Sequence, residues 1–461
     1  MRVTKAEHPL DTTQSSRMRD RMAQAPANPA SARFRRRILA AAASLLVVGA
    51  GCVRNEDRTS TLTFGFWGST EQARTEAAVA RAFEAANPGV RIETMAIAGN
   101  SSRYNDKVQA MLVGQVAPDV IMIESARYDE WASRGVLADI SSDLGAIDAA
   151  TPLMPVARQA FERGGRFYAA PINAHAFATY YNRTALAAAG VHLDVERLEW
   201  EDLLAAAPRL SRAAGSADAT TDYALQMPLP IILFWSFGGT LFDDPYQPRR
   251  ALVNTPEGRA AIGYMRRLLA TGAVLPPDIG AMAADHGTFQ LFRDGRIAFY
   301  FSGRWNTPDF LRIRDFEWDV APIPAGPAGA VSLHGGTALG VWNGTRNPDL
   351  ARRFVRFYAS EAGARIAMQT KRLVPVHRTL AFSDEFLGLT PPASLAVFAR
   401  SMEAGAARSY LYAPGFGVAK RLFDQAMERA LLSPDLPAEA VLADLEQELN
   451  RWLARREHRS P

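Results

Sequence analysis

"TLTFGFWGSTEQARTEAAVARAFEAANPGVRIETM", residues 61–95, decides the fold class. Thr61 to Gly68 reads as a strand running into a small polar turn, where Ser69 or Thr70 caps a helix through "EQARTEAAVARAFEAA". Asn87, Pro88 and Gly89 stop that helix, and Val90 to Met95 is a second strand. Working outward, "RYNDKVQAMLVG" is a second helix and "DVIMI" (Asp119 to Ile123) a third strand, apolar on both faces. Such a run suits a parallel strand covered by helices on each side. The unit is βαβαβ, an open α/β sheet whose ligands sit beyond the carboxyl ends of the strands. Those ends carry Trp67 to Ser69, Gly99 to Ser101 and Glu124 to Arg127.

Further along, "FYAAPINAHAFATYYNRTALAAAG" opens a second α/β unit, with "ATYYN" as a strand and Thr184 as the cap of the next helix. "NTPEGRAAIGYMRRLLATGAV" has a cap at Asn254 or Thr255, Pro256 in the first turn and Gly272 as its stop. "FRDGRIAFYFSGRWNTPDF" gives a turn at Asp294 and Gly295, a strand to Phe301, an exposed elbow and a helix opening at Thr307 and Pro308. After residue 345 the chain reads as mostly helical, with no short-period repeat and no low-complexity linker.

Upstream, Arg33, Arg35, Arg36 and Arg37 lead into an apolar run, Ile38 to Ala50, that ends at Cys52, the one cysteine of 461 residues. The run is shorter than the roughly 20 residues a spanning helix needs, and its basic flank and small-residue end describe a secretory signal peptide. A cysteine just after the cut resembles the lipobox of bacterial lipoproteins, in which the thiol carries lipid and anchors the chain to the membrane. Gly49 stands where such a box usually has Leu. The alternative is a cut nearby with Cys52 incidental. Translation starts at Met1, Met18 or Met22, since Met1 to Ala32 is polar and patternless.

Residues 1–52 hold nine Lys or Arg against three acids, a net of +6 out of +4 for the whole chain, so the remainder is about −2. The basic footprint of a nucleic-acid binder is therefore missing from the mature part. With Cys52 alone, no intrachain disulfide is possible, and stability must come from cores that the remaining length supplies as two lobes.

The motifs "FGFWGS", "APDVIMIES", "YAAPINAHAFATYYNRTAL", "FGGTLFDD", "TPEGRAAIGYMRRLL", "FRDGRIAFYFSGRWN" and "NPDLARRFVRFYASEAGARIAM" occur in this order. In that order they resemble the extracellular solute-binding proteins, family 1, of bacterial ABC importers, in the maltose- and glycerol-phosphate-binding branch. The resemblance runs from about Thr61 to the C-terminus. It implies the two-lobed periplasmic-binding-protein fold of type II, α/β, each lobe a mostly parallel sheet flanked by helices, joined by crossing hinge strands. Carried onto this chain, the lobes are 53–173 plus 324–373 and 176–322 plus 377–461. The crossings fall near Asn173 to Phe177, Asp319 to Pro322 and Leu373 to His377. A monomer outside the cytoplasm, delivering its solute to permease subunits without cofactor or metal, is what the resemblance implies.

The residues agree with a sugar-like ligand, which presents an apolar face and a rim of hydroxyls. Candidate aromatic platforms are Trp67, Trp235, Trp305 and Phe416, each weighed against ordinary core packing. Trp305 stands on the polar elbow "SGRWNTP", where the family places a stacking aromatic. Trp235, in "PLPIILFWSFGG", reads equally as core. Polar candidates are Ser69, Glu124, Ser125, Arg127, Asn173, His175 and Arg304, with Gly335 and Gly336 of "HGG" offering backbone N–H groups or merely a turn. Glu124 ends a buried strand, where a carboxylate is costly without solvent, a partner or a ligand.

Other chemistry is weaker. Asp243 and Asp244 could hold a cation but read as a surface turn. Tyr180 and Tyr181 are reminiscent of the tyrosine pair of ferric-iron binders, though "YYN" is also common in sugar binders. No GxSxG, Walker loop or HExxH is present, so an enzyme on this fold is the least favoured reading.

Overall fold

The computed structural model describes residues 59–99, 101–245, 247–275, 288–403, 407–408 and 416–457. The apolar run from Ile38 to Ala50 and Cys52 lie outside the described residues. The opening unit forms as its sequence dictates: β1 (Ser60–Trp67), α1 (Thr70–Ala86), β2 (Val90–Ile97), α2 (Ser101–Val113), β3 (Val120–Glu124) and α3 (Ser125–Ser133). Ser69 is the cap of α1, its Oγ accepting from the Gln72 N–H at 3.4 Å. β1 pairs parallel with β2 from Ser60↔Val90 to Trp67↔Ile97, and with β3 at Phe64↔Val120. All three strands therefore end at one edge.

The next strand, β4 (Ala170–Asn182), is 13 residues long, and "ATYYN" is only its last part. Its helix is capped by Asn182, whose Oδ1 accepts from the Ala185 N–H at 2.8 Å; Thr184 instead accepts from the Glu317 N–H at 3.0 Å. The following elements are β5 (Tyr223–Gln226), α4 (Pro230–Ser236), α5 (Pro256–Ala270) and β6 (Val274–Leu275). They continue with α6 (Thr288–Arg293), β7 (Ile297–Gly303), β8 (Trp318–Ala321), β9 (Ser332–Val341) and α7 (Pro348–Ala359). Helices α8 (Phe416–Leu432) and α9 (Ala438–Glu457) follow. No helix among the described residues is long and apolar enough to cross a membrane.

The strands form one ten-stranded sheet with the order β2-β1-β3-β9-β4-β7-β5-β6; off this path β8 pairs with β4, and the two-residue strand Ala407–Arg408 pairs parallel with β9. β4 is long because each half finds different partners. Ala170–Ala176 pairs antiparallel with β9, whereas Phe177–Tyr181 pairs antiparallel with β7 and Thr179–Asn182 with β8. The register with β9 shifts between Thr337 and Ala338, opposite Pro171, which has no N–H to give the ladder. Asn173 to Phe177 is thus where β4 passes from one set of partners to the other. The return strand is β9, further along the chain than the Asp319–Pro322 crossing expected from the motifs. Asp319 to Ala321 is still paired with the second half of β4, and Ile323 and Val331 still pack in the second-lobe core. The Leu373–His377 segment runs beside β4: the Ala174 N–H donates to the Val374 carbonyl at 3.2 Å, and Leu153 bridges to His377.

Three cores support this sheet, one of them, around Tyr104, Trp131 and Phe161, on the face of β3 that carries Ile121 and Ile123. Leu62, Phe64, Phe66, Val79 and Phe83 pack on Phe354 and Tyr358 of α7, with the Phe64 and Phe354 rings edge-on at 5.3 Å. The same apolar layer continues past the crossing to Tyr180, Phe292, Tyr300, Phe310 and Phe398. A second core, on the opposite face of β4, joins Trp200, Leu225, Trp235, Ile262, Phe299, Phe423 and Trp452.

Candidate functional site

A cleft of about 360 Å³ lies where the carboxyl ends of β1, β2 and β3 face the elbow after β7. Its first wall is built from Trp67, Gly68 and Ser69, from Gly99 and Ser101, and from Met122 and Glu124, the three strand ends of the opening unit. Gln72 and Glu76, one and two turns into α1, extend that wall downward. Ile172, Asn173 and His175 of β4, Thr337 of β9 and the pair Arg372 and Leu373 form the floor. Phe289, Trp305, Asn306 and Asp309 form the opposite wall.

Trp305 stands half-buried on this wall. Gly303 makes room for it: a Cβ there would run into the Trp305 six-membered ring, so only glycine lets the indole fold back over the strand end. His175 and Phe177 meet the indole edge-on, at 5.4 and 5.3 Å between ring centroids. Across the cleft, Trp67 is also half-buried and leans on Tyr104 at 5.3 Å. The site therefore has an aromatic plate on each side.

The polar groups are held by the crossing strands. His175 Nε2 is 3.0 Å from Thr337 Oγ1, and burial pulls the imidazole down to about 4, so the ring is neutral at pH 7. Asn173 Oδ1 accepts from the Val374 N–H at 3.0 Å, tying β4 to the Leu373–His377 segment. Glu76 is fully buried; its Oε1 accepts from Gln72 Nε2, and Oε2 has no hydrogen-bond partner among the described residues. Burial pushes its carboxyl up to about 7, with Tyr358, Gln72 and Arg372 opposing. Arg372 Nε donates to Gln72 Oε1 at 2.6 Å and Nη1 to the Trp305 carbonyl at 3.2 Å.

Trp67, Ser69, Glu124, Asn173, His175 and Trp305 thus come together as the sequence predicts. Others do not line the cleft. Trp235 is 5% exposed within the second-lobe core, because α4 is buried on nearly every face. Arg304 is 1% exposed beneath the elbow, its guanidinium 4.5 Å over the Phe386 ring and bonded to the Leu373 carbonyl. Nε and Nη2 of Arg304 find no partner among the described residues, and burial draws the group down to about 9. Arg127 pairs with Glu130 on the surface of α3 at 2.8 Å. Ser125 is buried and accepts from the Gly336 N–H at 3.2 Å, which uses the donor the sequence offered to a ligand. Gly335 and Gly336 serve strand contact: they pair with His175 and Ala174, and a Cβ on Gly336 would lie 2.8 Å from the Asn173 carbonyl oxygen. The Phe416 side chain lies outside the described residues.

Tyr180 and Tyr181 do not form a pair, since successive side chains of a strand point to opposite faces. Tyr180 donates to the Gly303 carbonyl and shares a hydrogen bond with Thr307 Oγ1 in one core, and Tyr181 packs in the other. Asp243 Oδ1 accepts the backbone N–H groups of Asp244, Arg249 and Arg250, an exposed turn. Among the described residues no cluster of three or more His, Cys, Asp or Glu could hold a metal ion.

Gln72, Glu76, Phe289, Asp309, Thr337 and Arg372 are cleft residues that the sequence did not reveal. Gln72 and Glu76 carry a partial signal, being one helical turn apart and following a capped strand end.

An open α/β fold with its cleft at the strand ends is the fold of the two-lobed binding proteins among the solved structures. The family model for the bacterial extracellular solute-binding protein matches residues 67–365, and the chain belongs to that family. It is 24% identical over 271 residues to the arabinooligosaccharide-binding protein of Halalkalibacterium halodurans, a match over 55% of this chain and 57% of that relative's length. Its fold is shared by an ABC substrate-binding protein of Listeria monocytogenes in complex with cycloalternan, with TM-score 0.74, 21% identity, 86% of this chain and 99% of the other. It is also shared by the GacH receptor of Streptomyces glaucescens, solved unliganded and with acarbose, with TM-score 0.73, 22% identity, 86% of this chain and 99% of the other.

Proposed function

We propose that the chain is the extracytoplasmic substrate-binding component of an ABC importer, which captures an uncharged saccharide between its lobes and presents it to permease subunits. The observation that carries this reading is the pair of half-buried indoles, Trp67 and Trp305, on opposite walls of a cleft whose floor is lined with hydrogen-bonding groups. Apolar sugar faces gain from aromatic area, and hydroxyl rims from planar polar side chains. The sugars named for the H. halodurans relative, the L. monocytogenes protein and the GacH receptor support the same class. The protein binds without turning its ligand over, works as a monomer and needs no cofactor.

The test is a thermal-shift screen of the purified protein against arabinooligosaccharides, maltooligosaccharides and glycerol phosphates, followed by calorimetry. A ligand present at a hundred times its Kd raises stability by about 2.7 kcal/mol. Stabilisation by a saccharide that returns unchanged is the expected result, and no shift with any sugar defeats the proposal. Anchoring through Cys52 is proposed from its position behind the apolar run. Cys52→Ser should leave the membrane fraction with affinity unchanged; a variant that still sediments with membranes defeats the anchor.

A further inference from the structure

We infer that Arg372 is a ligand-binding residue that joins the two walls of the cleft, its third guanidinium nitrogen, Nη2, donating to an oxygen of the saccharide. The inference rests on the sugar reading above and adds to it a residue and a closing device.

Arg372 is the one Lys or Arg among the described residues lining the cleft. It sits just before the Leu373–His377 segment and directly after Lys371, whose φ of 59° turns the backbone sharply there. A guanidinium is a rigid planar fork with donors on three nitrogens. Nε is bound to Gln72 on the first wall at 2.6 Å. Nη1 is bound to the carbonyl of Trp305 on the opposite wall at 3.2 Å. Nη2 has no hydrogen bond to the described residues. Fixing two nitrogens of a planar group fixes the third, so Nη2 is held in place before a ligand arrives. Gln72 is itself held by Glu76, so a chain of bonds runs from Glu76 through Gln72 and Arg372 to the backbone of the stacking residue.

The same geometry indicates what the cleft takes. Three carboxyl groups, Glu76, Glu124 and Asp309, line it beside one lining cation whose fork is already two-thirds committed; Asp309 also has Arg312 at 3.9 Å. A phosphate or carboxylate ligand would meet that acidic lining with a single donor to offset it. A saccharide hydroxyl or ring oxygen needs only one charge-assisted donor, and gives its own protons to carboxylates nearby.

The test compares wild type with Arg372→Met and Arg372→Lys, using maltotriose, an arabinotriose and glycerol 3-phosphate as calorimetric probes, and hydrogen exchange of ligand-free protein at residues 304–311. For whichever sugar wild type binds, Arg372→Met is expected to bind at least about tenfold more weakly. Arg372→Lys should remain weakened, since it keeps the charge and loses the fork. Both variants should exchange faster at the elbow and melt within a few degrees of wild type. Affinity within threefold of wild type in Arg372→Met, or wild type preferring glycerol 3-phosphate, overturns the ligand role. Unchanged exchange at the elbow overturns the tether. If wild type binds neither sugar, the saccharide reading and the Nη2 contact fall together, and the exchange arm still decides the tether by itself.

Discussion

The two walls of the cleft are made by different means. The first wall consists of strand ends from the βαβαβ unit, all emerging at one sheet edge, so Trp67, Ser69 and Glu124 are delivered there by topology. The second wall is a single elbow between β7 and the helix opening at Thr307, and Trp305 owes its place to a local device, the bare Gly303 beneath its ring. The first wall is robust because many paired backbone groups would have to move to disturb it. The second depends on a few atoms, and changes there should reach binding before they reach stability.

Four measurements would break or sharpen that contrast. The largest effect should come from Trp235→Ala, which empties a buried site behind neither wall. It should cost about 3–5 kcal/mol of folding stability, with the affinity of the folded fraction unchanged; calorimetry after chemical denaturation reads both. Next, Trp305→Ala should lower affinity about thirtyfold, the equivalent of about 2 kcal/mol of shared apolar area. Its unliganded melting temperature should fall by only a few degrees. Gly303→Ala should reproduce that loss with the indole intact, because a Cβ displaces the ring. A Gly303→Ala variant that binds normally would show that the elbow tolerates rearrangement.

The third measurement is the pH dependence of stability. Burial lowers His175 and His334 to about 4 and lowers His377 too, so between about 4 and 6.5 the folded chain binds fewer protons than the unfolded one. Stability should fall as the pH drops through that window. Glu76, raised to about 7, acts in the opposite sense: it favours the folded state at low pH and loses that effect as the pH rises toward 7. The net loss from pH 6.5 to 5 should be on the order of 1–2 kcal/mol. Glu76→Gln should steepen it, as followed by urea denaturation at each pH. The smallest effect should be that of Arg127→Ala, which removes a partly exposed i,i+3 pair. It should change stability by less than about 0.5 kcal/mol and leave affinity alone; a tenfold affinity loss would return Arg127 to the site.

The same contrast governs what could be read in the sequence. The first wall was legible because capping residues, helix stops and a doubly apolar strand fix the βαβαβ unit, and the unit fixes which ends converge. Trp305 was legible from its elbow. Trp235 and Arg304 misled because residue type was visible and burial was not: an indole in an apolar helix and an arginine on an elbow carry no mark of which side they face. Arg372 was missed for the converse reason, since nothing in "TKRLVP" marks which way its arginine faces, and only contacts with Gln72 and Trp305, distant in sequence, turn it inward. β4 was read too short because its first half contains Pro171 and polar residues that make sense only with β9 beside them.

The position of β9 also sets a schedule for making the molecule. It lies between β3 and β4 in the sheet, yet it is encoded near residue 332, long after β3 has ended at Glu124. On a ribosome adding about 5–20 residues per second, that gap of roughly 200 residues is about 10–40 s during which β3 has a bare edge. An unpaired apolar edge is a template for wrong partners. The first lobe therefore cannot finish folding before the second has been synthesised, and a chain truncated after Asn182 should lack the partner its central strands require.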